Sequence, residues 1–276
     1  MPEGDTIFRA ATTLARALTG SLLTRFETGY AQLASVDDDA PLIGRTVEKI
    51  WAHGKHLYMG FSGELILHTH MRMNGSWHIY RPGEAWQRPK TSARIVLGTE
   101  KFVAVAFDVP VADFQTPREQ QRSENVLGPD LLSPTFDPEQ ALQRLRARGD
   151  LDLAAALLNQ RVMAGVGNVY KSELCFLTGL DPRTPMPKVG DAKLRELIAI
   201  AQKLLRENVA PHSPEAIVTY RGLRRTTGRD NPSERLWVYG RGGEPCRKCR
   251  TKILFYKQGE GARSTYCCPQ CQPPVR

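Results

Sequence analysis

Four cysteines near the end of the chain are spaced for metal chemistry. The run is Cys246-Arg247-Lys248-Cys249, then eighteen residues, then Cys268-Pro269-Gln270-Cys271. Two Cys-x-x-Cys pairs bring four thiolates together, the donor set tetrahedral Zn²⁺ takes in a structural site, and the spacer is long enough for a β-hairpin. Two disulfides are the alternative. They would leave Cys175 and Cys267 over, and no secretory-type leader opens the sequence. One structural zinc ion per chain is therefore expected on Cys246, Cys249, Cys268 and Cys271. Cys267, beside Cys268, leaves the third ligand ambiguous by one position; the two-residue spacing to Cys271 favours Cys268.

The other end carries a different chemistry. The chain starts Met1-Pro2-Glu3-Gly4-Asp5-Thr6. Removal of the initiator methionine would leave Pro2 with a free secondary amine. An α-amino group titrates at about 7.7–8.0, so a useful fraction is neutral and nucleophilic near pH 7. Attack of such an amine on a sugar C1′ forms an iminium, a covalent route that splits one hard step into two. Glu3 beside it could move protons. Taken alone this is ordinary, since proline at position two is common. Two weaker signals lie between the termini. In His53-Gly54-Lys55-His56 a lysine stands at a strand start beside a glycine, though most such lysines point to solvent. In Ala164-Gly165-Val166-Gly167-Asn168 glycines open a helix, leaving backbone N–H groups bare for a phosphate, with Asn168 as cap or extra donor.

The elements that must hold these residues follow from periodicity. Ile7, Ala10, Ala11, Leu14, Ala15 and Leu18 recur at helical spacing, with Gly20 as a stop. From about residue 42 to 114 the pattern is one of short alternating runs. Strands are expected from Val47, at His56–Phe61, Glu64–His68, Ser76–Tyr80, Ala93–Leu97 and Phe102–Phe107, with turns at Ser62-Gly63 and Asn74-Gly75. Six or more short strands at this spacing suggest an antiparallel sandwich. Gln115 to Asn125 is polar and reads as a linker. Helices are expected at Pro138–Arg148, at Leu151–Leu158 with Asp150 as cap, from Asn168 to about Leu177, and after Asp191. Leu194, Leu197, Ile198, Ala201, Leu204 and Leu205 form the apolar face of that last helix.

Charge is unevenly placed. From Arg221 to the end there are thirteen Lys/Arg against four Asp/Glu, a surplus equal to the +9 of the whole 276-residue chain. The first 220 residues are thus neutral, and a basic metal hairpin on a neutral body reads as a device for gripping nucleic acid. At 41% hydrophobic content the chain can bury a substantial core, and two domains are expected. No run reaches the roughly 18 apolar residues of a membrane span. No partner membrane is expected, and the thiols imply a reducing, cytoplasmic compartment.

In order, Pro2-Glu3-Gly4, His53-Gly54-Lys55, Gly165-Val166-Gly167-Asn168-Val169-Tyr170, Val238-Tyr239-Gly240-Arg241 and the Cys₄ hairpin resemble the formamidopyrimidine-DNA glycosylase/endonuclease VIII family of base-excision-repair enzymes. The resemblance covers essentially the whole chain; each motif is weak, the ordered set specific. It implies an α+β multidomain protein. A β-sandwich with flanking helices would occupy residues 1–122, a helix–two-turn–helix domain 123–220 and a basic zinc-finger region 221–276, with damaged DNA bound between the halves. It also implies roles. Pro2 is the Schiff-base nucleophile, Glu3 its acid/base partner, and Lys55 a catalytic, phosphate-contacting lysine. Asn168 holds the DNA backbone, and Arg263 is the finger arginine that grips phosphates at the lesion. His70 is a phosphate contact, and Met73 a wedge that fills the space left by the everted nucleotide. Eversion has a physical reason: a sugar carrying a stacked base cannot be attacked.

The sequence departs from the family pattern in two places. Members specific for 8-oxoguanine carry Asp-x-Arg-Arg-Phe-Gly late in the sandwich; here Asp108-Val109-Pro110-Val111-Ala112-Asp113-Phe114 has no arginine. Thr6 stands where many members have glutamate. Both lean toward the endonuclease VIII side. The expectation is a monomeric, bacterial-type, nucleoid-associated DNA glycosylase/AP lyase for oxidised bases, chiefly pyrimidines, with no redox or nucleotide cofactor. An 8-oxoguanine enzyme of the same fold, or an inactive damaged-DNA-binding protein if Met1 blocks Pro2, are the alternatives.

Overall fold

The computed structural model describes residues 2–209, 224–259 and 261–274. The expected boundary at 220/221 lies outside them. The described residues up to Val126 form one compact unit and those from Leu127 onward a second.

The first unit opens with α1 (Gly4–Leu18), whose Ile7, Ala10, Ala11, Leu14 and Leu18 are buried at the expected spacing. It continues with β1 (Arg25–Thr28), α2 (Ala31–Asp39), β2 (Val47–His53), β3 (His56–Phe61), β4 (Leu65–His70), β5 (Ser76–Tyr80), β6 (Ala93–Gly98), β7 (Val103–Phe107), β8 (Val111–Gln115) and α3 (Pro117–Val126). The strands form two antiparallel sheets, ordered β1-β6-β7-β5 and β2-β3-β4-β8. Leu57, Met59 and Leu67 of one sheet share a core with Ile79, Ile95, Leu97 and Ala104 of the other, and α1 adds its apolar stripe. This is the expected sandwich. Side chains alternate across a strand, so in β4 Leu67 enters the core while His68 and His70 face away from it.

The polar stretch read as a linker is mostly helix α3. Its start is a capping box: Thr116 N–H donates to Glu119 Oε2 (2.8 Å), while Glu119 N–H donates to Thr116 Oγ1 (3.3 Å). Only Gln120 of this helix is buried, which is why no apolar period announces it. Helix α2 escaped for the same reason, having Leu33 as its one buried residue.

The second unit holds α4 (Pro138–Arg146), α5 (Leu153–Leu158), α6 (Asn168–Thr178), α7 (Asp191–Val209) and the hairpin of β9 (Leu254–Gln258) with β10 (Arg263–Cys267). The cap of α5 is Asp152, not Asp150: its Oδ1 accepts from Ala155 N–H at 2.7 Å, the reach that only the residue directly ahead of the helix has. Asp191 is the first residue of α7 rather than its cap, and its carboxylate pairs with Arg146. The predicted apolar face of α7 packs with Leu142, Leu145, Leu153, Leu157 and Leu174 in one core. A smaller cluster of Phe176, Val238, Cys246, Ile253 and Cys268 ties α6 to the hairpin region. Among the described residues no helix is long and apolar enough to cross a membrane.

Candidate functional site

Pro2 and Glu3 stand at the start of α1. Glu3 has an extended backbone (φ −126°, ψ −176°), and its carbonyl accepts the first helical bonds, from Thr6 N–H (2.9 Å) and Ile7 N–H (3.1 Å). Its side chain has no exposed surface, while Pro2 is partly exposed. The helix thus fixes a carboxyl directly behind the proline and turns its positive dipole end toward both. Asp5, also fully buried, lies two residues on, with the Thr6 hydroxyl donating to it at 3.3 Å.

Lys55 sits in the two-residue turn from β2 to β3, where Gly54 takes φ +57°. The face of the β2-β3-β4-β8 sheet that begins there is aromatic and imidazole-rich. Trp51 stacks on Tyr58 (5.3 Å between centroids), Tyr58 on His68 (5.0 Å) and His68 on His56 (5.1 Å). His70 meets the His56 ring edge-on at 4.9 Å. Burial, the neighbouring imidazoles and the Lys55 ammonium push His56 down to about 3. Burial and Lys55 push His70 down to about 4. Both rings are therefore neutral near pH 7.

After His70 the chain turns through residues 71–75. Met71 is buried, whereas Met73 is 63% exposed at the turn. Gly75 is obligatory here: a Cβ would lie 2.6 Å from the Met71 carbonyl oxygen. An apolar side chain is thus held out in water by a tight, glycine-dependent turn. The stretch lacking the arginine is a short connection, residues 108–110, running into a strand. Asp108 is paired with Arg88, Val109 is buried, and residues 111–115 form β8, zipped to β4.

In the second unit Asn168 is the first residue of α6 and nearly buried. Its amide donates to the Ser264 carbonyl (2.8 Å), and its oxygen accepts from Lys171 Nζ (2.9 Å). Lys171, with no exposed surface, also donates to Ser264 O (3.0 Å) and Thr265 Oγ1 (2.7 Å). Asn168 and Lys171 together lash the helix start to β10, where Arg263 begins the strand. Arg263 is exposed and borders a recess of about 230 Å³ with Asp152, Lys171 and Gln258; its guanidinium has no partner among the described residues. Glu173, a turn further along α6, is wholly buried. It accepts N–H bonds from Trp237 (2.8 Å), Val238 (2.9 Å) and Tyr239 (2.8 Å) and the hydroxyl of Thr226. Burial raises its carboxyl above the ordinary range against the pull of these donors.

Cys246, Cys249, Cys268 and Cys271 have their sulfurs within 4.8 Å of one another and could hold a metal ion. Cys246 and Cys271 are 3.9 Å apart, Cys249 and Cys268 3.3 Å. Cys267, whose Sγ donates to the Tyr256 hydroxyl (3.8 Å), stands outside the cluster. Cys267 ends β10, whereas Cys268 is the first residue beyond the strand, where the chain turns toward Cys271.

Lys171, Glu173, His56, His68 and Asp113 are missing from the sequence expectation. The two helix residues read as surface charges between apolar neighbours. His68-Thr69-His70 carries the period-2 signal of one strand face, but the partner Asp113 becomes visible only when β4 pairs β8.

A family model described as the formamidopyrimidine-DNA glycosylase N-terminal domain matches residues 1–118, and one described as the formamidopyrimidine-DNA glycosylase H2TH domain matches residues 127–216. The chain is 44% identical over 275 residues to a probable endonuclease 8 2 of Streptomyces coelicolor, covering 99% of this chain and 94% of that protein. It is 40% identical over 272 residues to the DNA-(apurinic or apyrimidinic site) lyase Nei2 of Mycolicibacterium smegmatis, covering 99% of both. Its fold is similar to that of the Lactococcus lactis Fpg in a crystal structure with abasic-site DNA (TM-score 0.82, 20% identity, 98% of this chain and 99% of that one).

Proposed function

Because the chain belongs to the formamidopyrimidine-DNA glycosylase family, on its endonuclease VIII side, and is a DNA glycosylase and AP lyase of base excision repair, we propose that Pro2 is its nucleophile and that oxidised pyrimidines are its substrates. The observation that carries this reading is the start of α1, where a fully buried Glu3 directly follows Pro2. With Met1 removed, the Pro2 nitrogen attacks C1′ of the everted nucleotide as the base leaves, and Glu3 moves the protons this requires. The resulting iminium acidifies C2′; loss of that proton expels the 3′ phosphate and nicks the strand.

The remaining residues fit supporting roles. Lys55 and His70 offer donors to the phosphates beside the lesion. Met73, already exposed, fills the gap in the stack. Arg263 carries, on the β9–β10 hairpin, a guanidinium unpartnered among the described residues and suited to bidentate phosphate contact. Asn168 positions that hairpin and keeps a second amide hydrogen for the DNA backbone. The four cysteines suit zinc, which would hold the hairpin's base closed and do no chemistry itself. The lack of an arginine in residues 108–114, of which 111–114 lie in β8, supports the pyrimidine preference.

Borohydride tests the mechanism. Protein whose mass shows a free Pro2 should give a stable cross-link to abasic-site DNA, and Pro2→Gly should lose most of it while keeping zinc and nonspecific DNA binding. Absence of any adduct from the wild-type protein refutes the Schiff base. For substrate, duplexes with 5-hydroxyuracil should be cleaved much faster than those with 8-oxoguanine opposite cytosine; the reverse ranking makes it an 8-oxoguanine enzyme.

A further inference from the structure

The imidazole face of the first unit contains a continuous hydrogen-bonded line that the reaction above leaves without a role. Asp113 Oδ1 lies 2.8 Å from His68 Nδ1, and His68 Nε2 lies 2.8 Å from His56 Nδ1. The line crosses three neighbouring strands, β8, β4 and β3, through the register that sets His68 opposite Asp113. It ends at the His56 ring, packed edge-to-face on His70 at 4.9 Å and 75°.

Partner chemistry fixes the protons. An ionised carboxylate only accepts, so Nδ1 of His68 carries a hydrogen. Burial would lift the Asp113 carboxyl, but the His68 contact, with Gln115, keeps it below the ordinary range and so ionised. Where the His68 Nε2 is a lone pair, His56 donates to it from Nδ1. His70 is fixed from the other side. Its Nδ1 accepts the Arg72 N–H at 3.1 Å, so as a neutral ring it carries its hydrogen on Nε2. Arg72 has φ +45°, a backbone setting made by the same turn that presents Met73.

We propose that Asp113, His68 and His56 form a positioning line that fixes the plane of the His70 ring, so that its Nε2–H, set by the Arg72 N–H, is directed at a phosphate of the bound DNA strand. Asp113 sets the tautomer of His68, His68 sets that of His56, and the His56 ring sets the plane of His70. A second carboxylate thereby acts on DNA handling from the neighbouring strand. Lys55 lies at the same end of the line, and its charge bears on both His56 and His70. A neutral donor there, beside a permanent cation, gives phosphate a directed hydrogen bond without adding a second charge.

The inference rests on His70 being a phosphate contact, and the test separates the two. His70→Ala, Asp113→Ala and the double variant are compared in steady-state nicking of abasic-site duplex, with zinc content and melting temperature as controls of folding. His70→Ala should raise KM about three- to tenfold with little change in kcat, the size of one neutral hydrogen bond. Asp113→Ala should raise KM by a similar factor and add nothing in the His70→Ala background. Asp113→Asn, which keeps an accepting oxygen, should recover most of the loss. His56→Phe keeps the ring contact, cuts the hydrogen bond and should also raise KM; it serves if Asp113→Ala fails to fold. In ¹⁵N-histidine spectra His68 should be the Nδ1–H tautomer and lose that preference in Asp113→Ala. An unchanged KM in His70→Ala refutes the phosphate contact. A raised KM there, with no effect of Asp113→Ala or His56→Phe, refutes the positioning line and leaves the contact standing.

Discussion

A carboxyl with no exposed surface, sitting behind a half-exposed proline, gives the first expected result. Glu3→Gln preserves size and hydrogen-bonding shape but cannot carry a proton, so excision of a damaged base should fall by about 10²- to 10⁴-fold, the usual worth of a general acid–base. Nicking of a pre-formed abasic site should fall less, because no base has to be expelled. Single-turnover gels on the two substrates measure both, and equal losses would mean that Glu3 serves the iminium steps alone. His56 and His70 give the second. Folded, they hold protons more weakly than the usual 6.5, at about 3 and about 4, so between these values the unfolded chain takes up more protons. Stability should therefore fall as pH drops from about 6.5 toward 4, and replacing both by Asn should flatten that part of the curve in thermal unfolding. Pro2 and Arg263 were singled out through the ordered set of motifs and not by their own identity, since proline at position two is common. Lys171 and Glu173 were not legible, because a charged residue in a helix reads as surface unless its partners, here 93 and 53–66 positions away, are known.

Among the elements, the hairpin of β9 and β10 was readable from its flanking cysteines, and the structure settles which of two adjacent cysteines joins the cluster. Cys268→Ser should therefore lose the metal and, with it, the hairpin's order and DNA affinity. Cys267→Ser should keep all three, removing only a thiol that donates to Tyr256. Metal analysis of the two purified proteins decides this, and full occupancy in Cys268→Ser would overturn the ligand set. Elements with an apolar period or a β-alternation, α1, α7 and most strands, were legible for the same reason. Those made by polar signals were misread. Thr116-Pro117-Arg118-Glu119 is a capping box inside a stretch with nothing to bury, and the linker reading weighed composition above the cap. The pairing of β4 with β8, on which the imidazole line depends, has no local sequence signal: forty-five residues separate His68 from Asp113.

At the scale of the molecule the surplus of nine charges lies after residue 220, so affinity for DNA should fall steeply with salt, by a log–log slope of about 0.9 per phosphate neutralised. Arg263→Ala should lower the slope and also slow lesion processing, whereas Arg250→Ala, equally basic and exposed, should change the slope alone. Equal kinetic damage from both would reduce Arg263 to one member of a basic patch. Order of synthesis adds a constraint of another kind. Glu173 leaves the ribosome more than fifty residues before the groups that satisfy it, Thr226 and the amides of 237–239. Until those residues emerge, closing α6 into its core would strand a carboxylate without donors, a cost of about 3–5 kcal/mol for a buried charge missing its partners. Sealing of α6 into its core is thereby tied to the emergence of residues 226–239, so the second unit can finish folding only late in synthesis.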